Sequence, residues 1–109
     1  MIKVHIVRDD NSFIQEYTVK GHAGFAPHGS DIVCAAVSAL AYTGAGALAQ
    51  LVNINSYEEK DGFMKCTVPK GIDGEKRYKV QIILETIVVG FKQIEEAYKD
   101  YVVVLDEEV

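Results

Sequence analysis

From Ile32 to Ile54 the chain carries no charged residue, and a run of that length narrows what it can fold into. About 18 or more predominantly apolar residues are enough for a helix to span a bilayer. This run is a poor span. Much of it is Ala, Gly, Ser and Thr, with Gln50 and Asn53, and its flanks are acidic: Asp31 before it, Glu58 and Glu59 after it. Spanning helices are oriented by Lys and Arg at their ends, and no such bias is present. The expectation is a helix of a globular protein, buried on more than one side. Its small residues (Ala35, Ala36, Ala39, Ala41, Gly44, Ala45, Gly46 and Ala47) let another backbone come close. A glycine inside a helix costs about 1 kcal/mol against alanine, a cost that tight packing offsets. The neighbour is either a second helix of the chain or the same helix of a twin subunit, and the sequence leaves both open.

The segments around this helix read as strands. In "IKVHIV", Ile2, Val4 and Ile6 alternate with Lys3, His5 and Val7, which is strand periodicity. "RDDNS" is a turn cluster and "FIQEYTV" a second strand, so residues 2 to 20 form a hairpin. "GHAGFAPHGSD" is a loop. The helix after it starts at Ser30 or Asp31, either a good N-cap, and runs to about Asn53. "SYEEKDGFMKCTV" gives strand, turn at Asp61-Gly62, strand, with Cys66 facing the core alongside Met64 and Val68. A second helix runs from about Lys76 to Tyr98, its stripe made by Val80, Ile83, Leu84, Ile87, Val88, Phe91 and Ile94. "YVVVL" is a last strand and "DEEV" a frayed acidic tail. The order ββα-ββ-αβ predicts an α+β fold, two helices packed on a largely antiparallel sheet, in a single domain over residues 1–109.

The 11 basic and 16 acidic residues leave a net charge of −5. That disfavours a nucleic-acid phosphate backbone as direct partner and suits a basic polypeptide. Two cysteines, Cys34 and Cys66, make no disulfide framework. "MIKVHIVRDD" lacks the basic-then-apolar pattern of a secretory signal, so the expected location is the cytoplasm, with no membrane partner.

His22, His28 and Cys34 fall in one short stretch, "GHAGFAPHGSDIVCAAVSAL". With Asp31 as cap, Cys34 lies in the first helical turn, beside unpaired N–H groups and the positive end of the helix dipole. Such a position favours thiolate, the nucleophilic form. His22 is the natural proton acceptor, and the free N–H groups of that first turn are candidates for holding an oxyanion. Asp31 opposes this, since a nearby carboxylate raises a thiol's pKa unless its side chain is occupied in capping or in orienting a histidine. The bland alternative is that Cys34 is an inert core cysteine. His22, His28, Asp31 and Cys34 have the right chemistry for zinc but lack a tightly spaced ligand pair, so no metal is expected. His5, on the strand face opposite Val4 and Ile6, reads as a surface residue.

"GHA", followed after a short loop by "GSDIVCAAVSAL", resembles the ribosomal-processing cysteine proteases, the Prp or YsxB-like family. The likeness covers the whole chain in length and element order. It implies a thiol protease with a catalytic dyad of His22 and Cys34, and Asp31 and Ser38 as supporting residues of the same motif. The residues from Ala23 to Ser30, in which Gly24 and Gly29 bracket "FAPH", would be a mobile lid over the substrate. His28 falls in this variable stretch and takes no role. The resemblance also implies a homodimer that needs no cofactor. Its substrate would be the N-terminal extension of a basic large-subunit ribosomal protein, of the bacterial protein twenty-seven type, a step in ribosome biogenesis. Readings from other classes are a non-catalytic ribosome assembly factor, which has no need of a reactive Cys34, and a thiol or metal sensor, which would use Cys66 or His28 as well.

Overall fold

The first strand, β1 (Ile2–Arg8), buries Ile2, Val4 and Ile6 at 2 % exposure or less, as period-2 patterning on a one-sided sheet requires. The computed structural model describes residues 1–108. After β1 come β2 (Ile14–Lys20), α1 (Ile32–Val52), β3 (Tyr57–Lys60), β4 (Phe63–Thr67), α2 (Gly74–Ala97) and β5 (Val102–Glu108). The sheet order is β3-β4-β2-β1-β5. Every pairing is antiparallel except β1 with β5, which run parallel in the register Ile2↔Val102 to Arg8↔Glu108. This is the α+β arrangement of two helices on a largely antiparallel sheet. Its core joins Ile2, Val4, Ile6, Tyr17, Met64 and Cys66 of the sheet to the inner faces of both helices.

Among the described residues α1 is the one helix long and apolar enough to cross a bilayer. It buries Val33, Val37, Ala41, Gly44, Ala45, Leu48 and Val52, which form a single stripe. The expectation of burial on more than one side is therefore corrected: Ile32, Tyr42 and Leu51 are exposed. The helix carries more apolar surface than this chain itself covers. Its glycines divide between inside and outside. A Cβ on Gly44 would lie 2.4 Å from the Tyr17 hydroxyl and 3.3 Å from Ile87, whereas nothing lies within 4 Å of one on Gly46. The space at Gly44 lets Tyr17 Oη donate to the Ala41 carbonyl at 2.6 Å, tying sheet to helix. Gly90 of α2 does the same for the helix pair, since a Cβ there would meet Leu40 at 2.7 Å.

α1 ends where expected. Asn53 is left-handed at φ 60°, and its N–H donates to the Leu48 carbonyl, a common way to close the last turn. α2 is fixed to the sheet by two polar contacts. Buried Gln81 bonds both the N–H and the carbonyl of Ile14, at 2.8 and 3.0 Å. Arg8 bridges Glu85 of α2 and Asp106 of β5, at 2.6 and 2.7 Å. Arg8, helped by Lys92, holds the Asp106 carboxyl below the usual carboxylate range against partial burial. These bonds correct the reading of "DEEV" as a frayed tail: the strand continues through Glu108, paired to β1, and Val109 lies outside the described residues. His5 is part-exposed on the outer sheet face and pairs with Glu107 at 3.0 Å.

Candidate active site

Leaving β2, the chain turns at Gly21, whose N–H donates to the Gly62 carbonyl at 2.9 Å. His22 follows, and a Cβ on Gly62 would lie 3.2 Å from its Nε2. Gly62 has φ +70°, so it both makes the β3–β4 turn and leaves room for the imidazole, two demands that glycine alone meets at low cost. The β3–β4 turn, the loop after β2 and the first half of α1 enclose a cleft of about 930 Å³. His22, Gly24, His28, Gly29, Asp31, Cys34 and Ser38 all line it. The stretch singled out in the sequence thus converges on one cavity.

Asp31 caps α1 as expected, but it does more. Oδ1 accepts from the N–H groups of Val33 and Cys34, both at 3.0 Å. Oδ2 accepts from Phe25 and Ala26 in the loop, at 3.0 and 3.3 Å. Burial pushes this carboxyl up, yet the backbone N–H groups of Cys34, Ala26, Phe25 and Val33 together hold it below the usual range. A carboxylate with both oxygens so engaged is capping, not orienting a histidine, and much of its charge is met locally. One expectation is corrected here. The N–H groups of Val33 and Cys34 are occupied by Asp31, and that of Ala35 donates to the Asp31 carbonyl at 3.1 Å, so these first-turn groups are not free to hold an oxyanion.

The hydrogen bond at the Cys34 sulfur comes instead from the loop, where the Ala23 N–H donates to Sγ at 3.2 Å. Cys34 is half-buried and Cys66 buried. Cys66 pairs across strands with Tyr17, burial pushes its thiol up, and it is not among the residues lining the cleft. Ser38, one turn beyond Cys34, is exposed into the cleft. The His22 and His28 rings meet edge to face with centroids 6.5 Å apart. Among the described residues no three His, Cys, Asp or Glu side chains are grouped as a metal site requires.

The first half of the loop is held by several contacts. The Phe25 ring packs edge to face on Tyr98 and Tyr101, at 5.8 and 5.1 Å, and the N–H groups of Ala23, Phe25 and Ala26 are all bonded. In residues 27–30 the Ser30 N–H donates to the Pro27 carbonyl at 2.9 Å. Gly24 and Gly29 are both left-handed. Sequence reasoning missed the wall opposite Cys34. It consists of Glu59, Lys60, Asp61, Gly62, Phe63 and Met64 of the β3–β4 hairpin, reached from the Cys34 side by Tyr42 of α1, whose hydroxyl donates to Glu59. Tyr42 lies eight residues after Cys34, so its place on the cleft face of α1 was available in the helical period. Nothing local signals the hairpin's place beside His22.

Residues 1–103 match the family model of the cysteine protease Prp. The ribosomal processing cysteine protease Prp of Bacillus subtilis is 34 % identical over 106 residues, 92 % of each chain. Among solved structures, SMU.848 from Streptococcus mutans superposes with a TM-score of 0.82 at 29 % identity, covering 100 % of this chain and 96 % of that one. The essential ribosomal processing protease Prp from S. aureus, in complex with a covalently linked product peptide, superposes with a TM-score of 0.80 at 26 % identity, covering 98 % of this chain and 100 % of that one. The protein belongs to the Prp family of cysteine proteases.

Proposed function

We propose that this enzyme cuts the N-terminal extension from a basic large-subunit ribosomal protein, of the bacterial protein twenty-seven type, using Cys34 as nucleophile and His22 as its base. The observation that carries the dyad is the shared cleft: the one thiol that lines it stands at the start of α1, and His22 lines the same cavity. The Cys34 thiol gives its proton to His22, and Sγ bonds to the scissile carbonyl carbon while the carbonyl π pair moves to oxygen. The tetrahedral species collapses, the C–N bond breaks, and His22 returns the proton to the departing amine. Water, deprotonated by His22, then attacks the thioester and releases the acid and the thiol. The covalently linked product peptide in the staphylococcal relative supports such a covalent route.

Glu59 and Asp61 on the cleft wall, against one lysine, Lys60, agree with a basic substrate. The lid is residues 23–30, with Gly24 and Gly29 as its bends and 27–30 as its more lightly held part, and Asp31 and Ser38 support the wall that carries Cys34. The enzyme works in the cytoplasm as a homodimer, a reading supported by the apolar Ile32, Leu51, Ile82 and Val89 left exposed on the two helices. Sedimentation of the protein at twice the monomer mass is the result that reading requires. The substrate assignment is tested by mass spectrometry of the extended ribosomal protein after incubation with the enzyme. The expected product is a single cut that removes the extension, and an intact substrate at long incubation overturns the assignment.

A further inference from the structure

We propose that the backbone N–H of Ala23 is the donor that follows the negative charge through the reaction, first on the Cys34 sulfur and then on the oxygen of the attacked carbonyl. This rests on Cys34 being the nucleophile. The first-turn N–H groups of Val33, Cys34 and Ala35, which lie nearest the sulfur along the chain, are already spent on Asp31. The Ala23 N–H is aimed at Sγ, 3.2 Å away. Ala23 is 5 % exposed, and a hydrogen bond to charge is worth more where water is excluded.

The donor's position is set from both sides. His22 precedes it, its ring close to Gly62 in the β3–β4 turn, and Phe25 and Ala26 behind it are held by Asp31 Oδ2. Base and donor are therefore consecutive residues on one strap. At rest, or once His22 has taken the thiol proton, the N–H serves the sulfur. As the S–C bond forms, the sulfur loses its charge and the carbonyl π pair moves to an oxygen bound to the same carbon. An N–H already beside the sulfur needs only a small reorientation to donate to that oxygen. When the C–N bond breaks and the carbonyl re-forms, the amine leaves with the proton from His22 and the N–H is free for the second half-reaction. A preorganised donor of this kind costs no reorganisation of solvent.

The test removes one atom pair. Residues 1–33 are made synthetically with lactate at position 23, so that an ester replaces the His22–Ala23 amide, and are ligated to Cys34 of the remaining chain. The expected result is a fall of about 10²-fold in kcat, the scale for losing one oxyanion donor, with KM changed by no more than about twofold. Wild-type kcat in the ester, or a loss confined to KM, overturns the proposal. If the ester chain does not fold, amide NMR of the unaltered protein decides: the Ala23 amide proton must move downfield in step with ionisation of the thiol, followed at Cys34 Cβ. A flat Ala23 resonance while Cys34 titrates overturns the proposal and leaves the dyad intact. Failure of the dyad itself shows separately, as cleavage by Cys34→Ser.

Discussion

Asp31 joins the two halves of the site through one carboxylate, Oδ1 to the start of α1 and Oδ2 to the loop. The sign of its pH dependence follows from its lowered pKa. A group held below its unfolded value, near 3.9 for Asp, contributes stability that is fully present above that value and is lost as pH falls through the folded value. Wild-type protein should therefore lose stability steeply below about pH 4. Asp31→Asn, less stable at neutral pH, should lose less over the same acid range, as read by urea midpoints. Parallel acid limbs for the two proteins would show that the carboxylate is not coupled to folding. The capping role was legible, because a Ser-Asp pair before an apolar helix is a local signal. The second oxygen's partners were not, since they depend on how the loop returns over the helix end. The same return occupies the first-turn N–H groups that had looked free and brings the Ala23 N–H to the sulfur.

At the scale of elements, period and punctuation carried most of the fold. Ile2, Val4 and Ile6 mark one sheet face, and Asn53 and Asp61-Gly62 mark a helix end and a turn at their observed places. What period could not show is which hairpin borders which loop. Glu59 and Gly62 lie far along the chain from His22 and carry no local mark of that contact. "DEEV" misled for a related reason: its order comes from Arg8 and β1, not from its own composition. The glycines of the loop after β2 predict a mobile segment, and ring packing on Tyr98 and Tyr101 with three bonded N–H groups gives its first half more contacts than its second. Hydrogen exchange checks this directly. The N–H groups of Ala23, Phe25 and Ala26 should exchange more slowly than those of His28 and Gly29 in the free enzyme, and Phe25→Ala should erase much of that difference. Uniformly fast exchange from 23 to 30 would restore the fully mobile lid.

Over the whole molecule, a five-stranded sheet and two helices bring one thiol, Cys34, and two imidazoles, His22 and His28, to a common cleft, while the second thiol stays beside Tyr17 in the core. Membership of a protease family accounts for the kind of chemistry, and the proposed dyad of Cys34 and His22 is the account of how this chain would perform it. The most direct measurement is the rate of cleavage of the extended ribosomal protein by four variants alongside wild type. Cys34→Ser keeps the side-chain volume nearly unchanged and removes the acidic thiol; His22→Ala removes the base from an exposed loop position. Each should bind substrate and cleave at least about 10²-fold more slowly. The double variant should be little worse than either, because the pair acts as one unit. His28→Ala should keep most of the wild-type rate. Wild-type cleavage by Cys34→Ser, or abolition by His28→Ala with His22→Ala still active, would contradict the account.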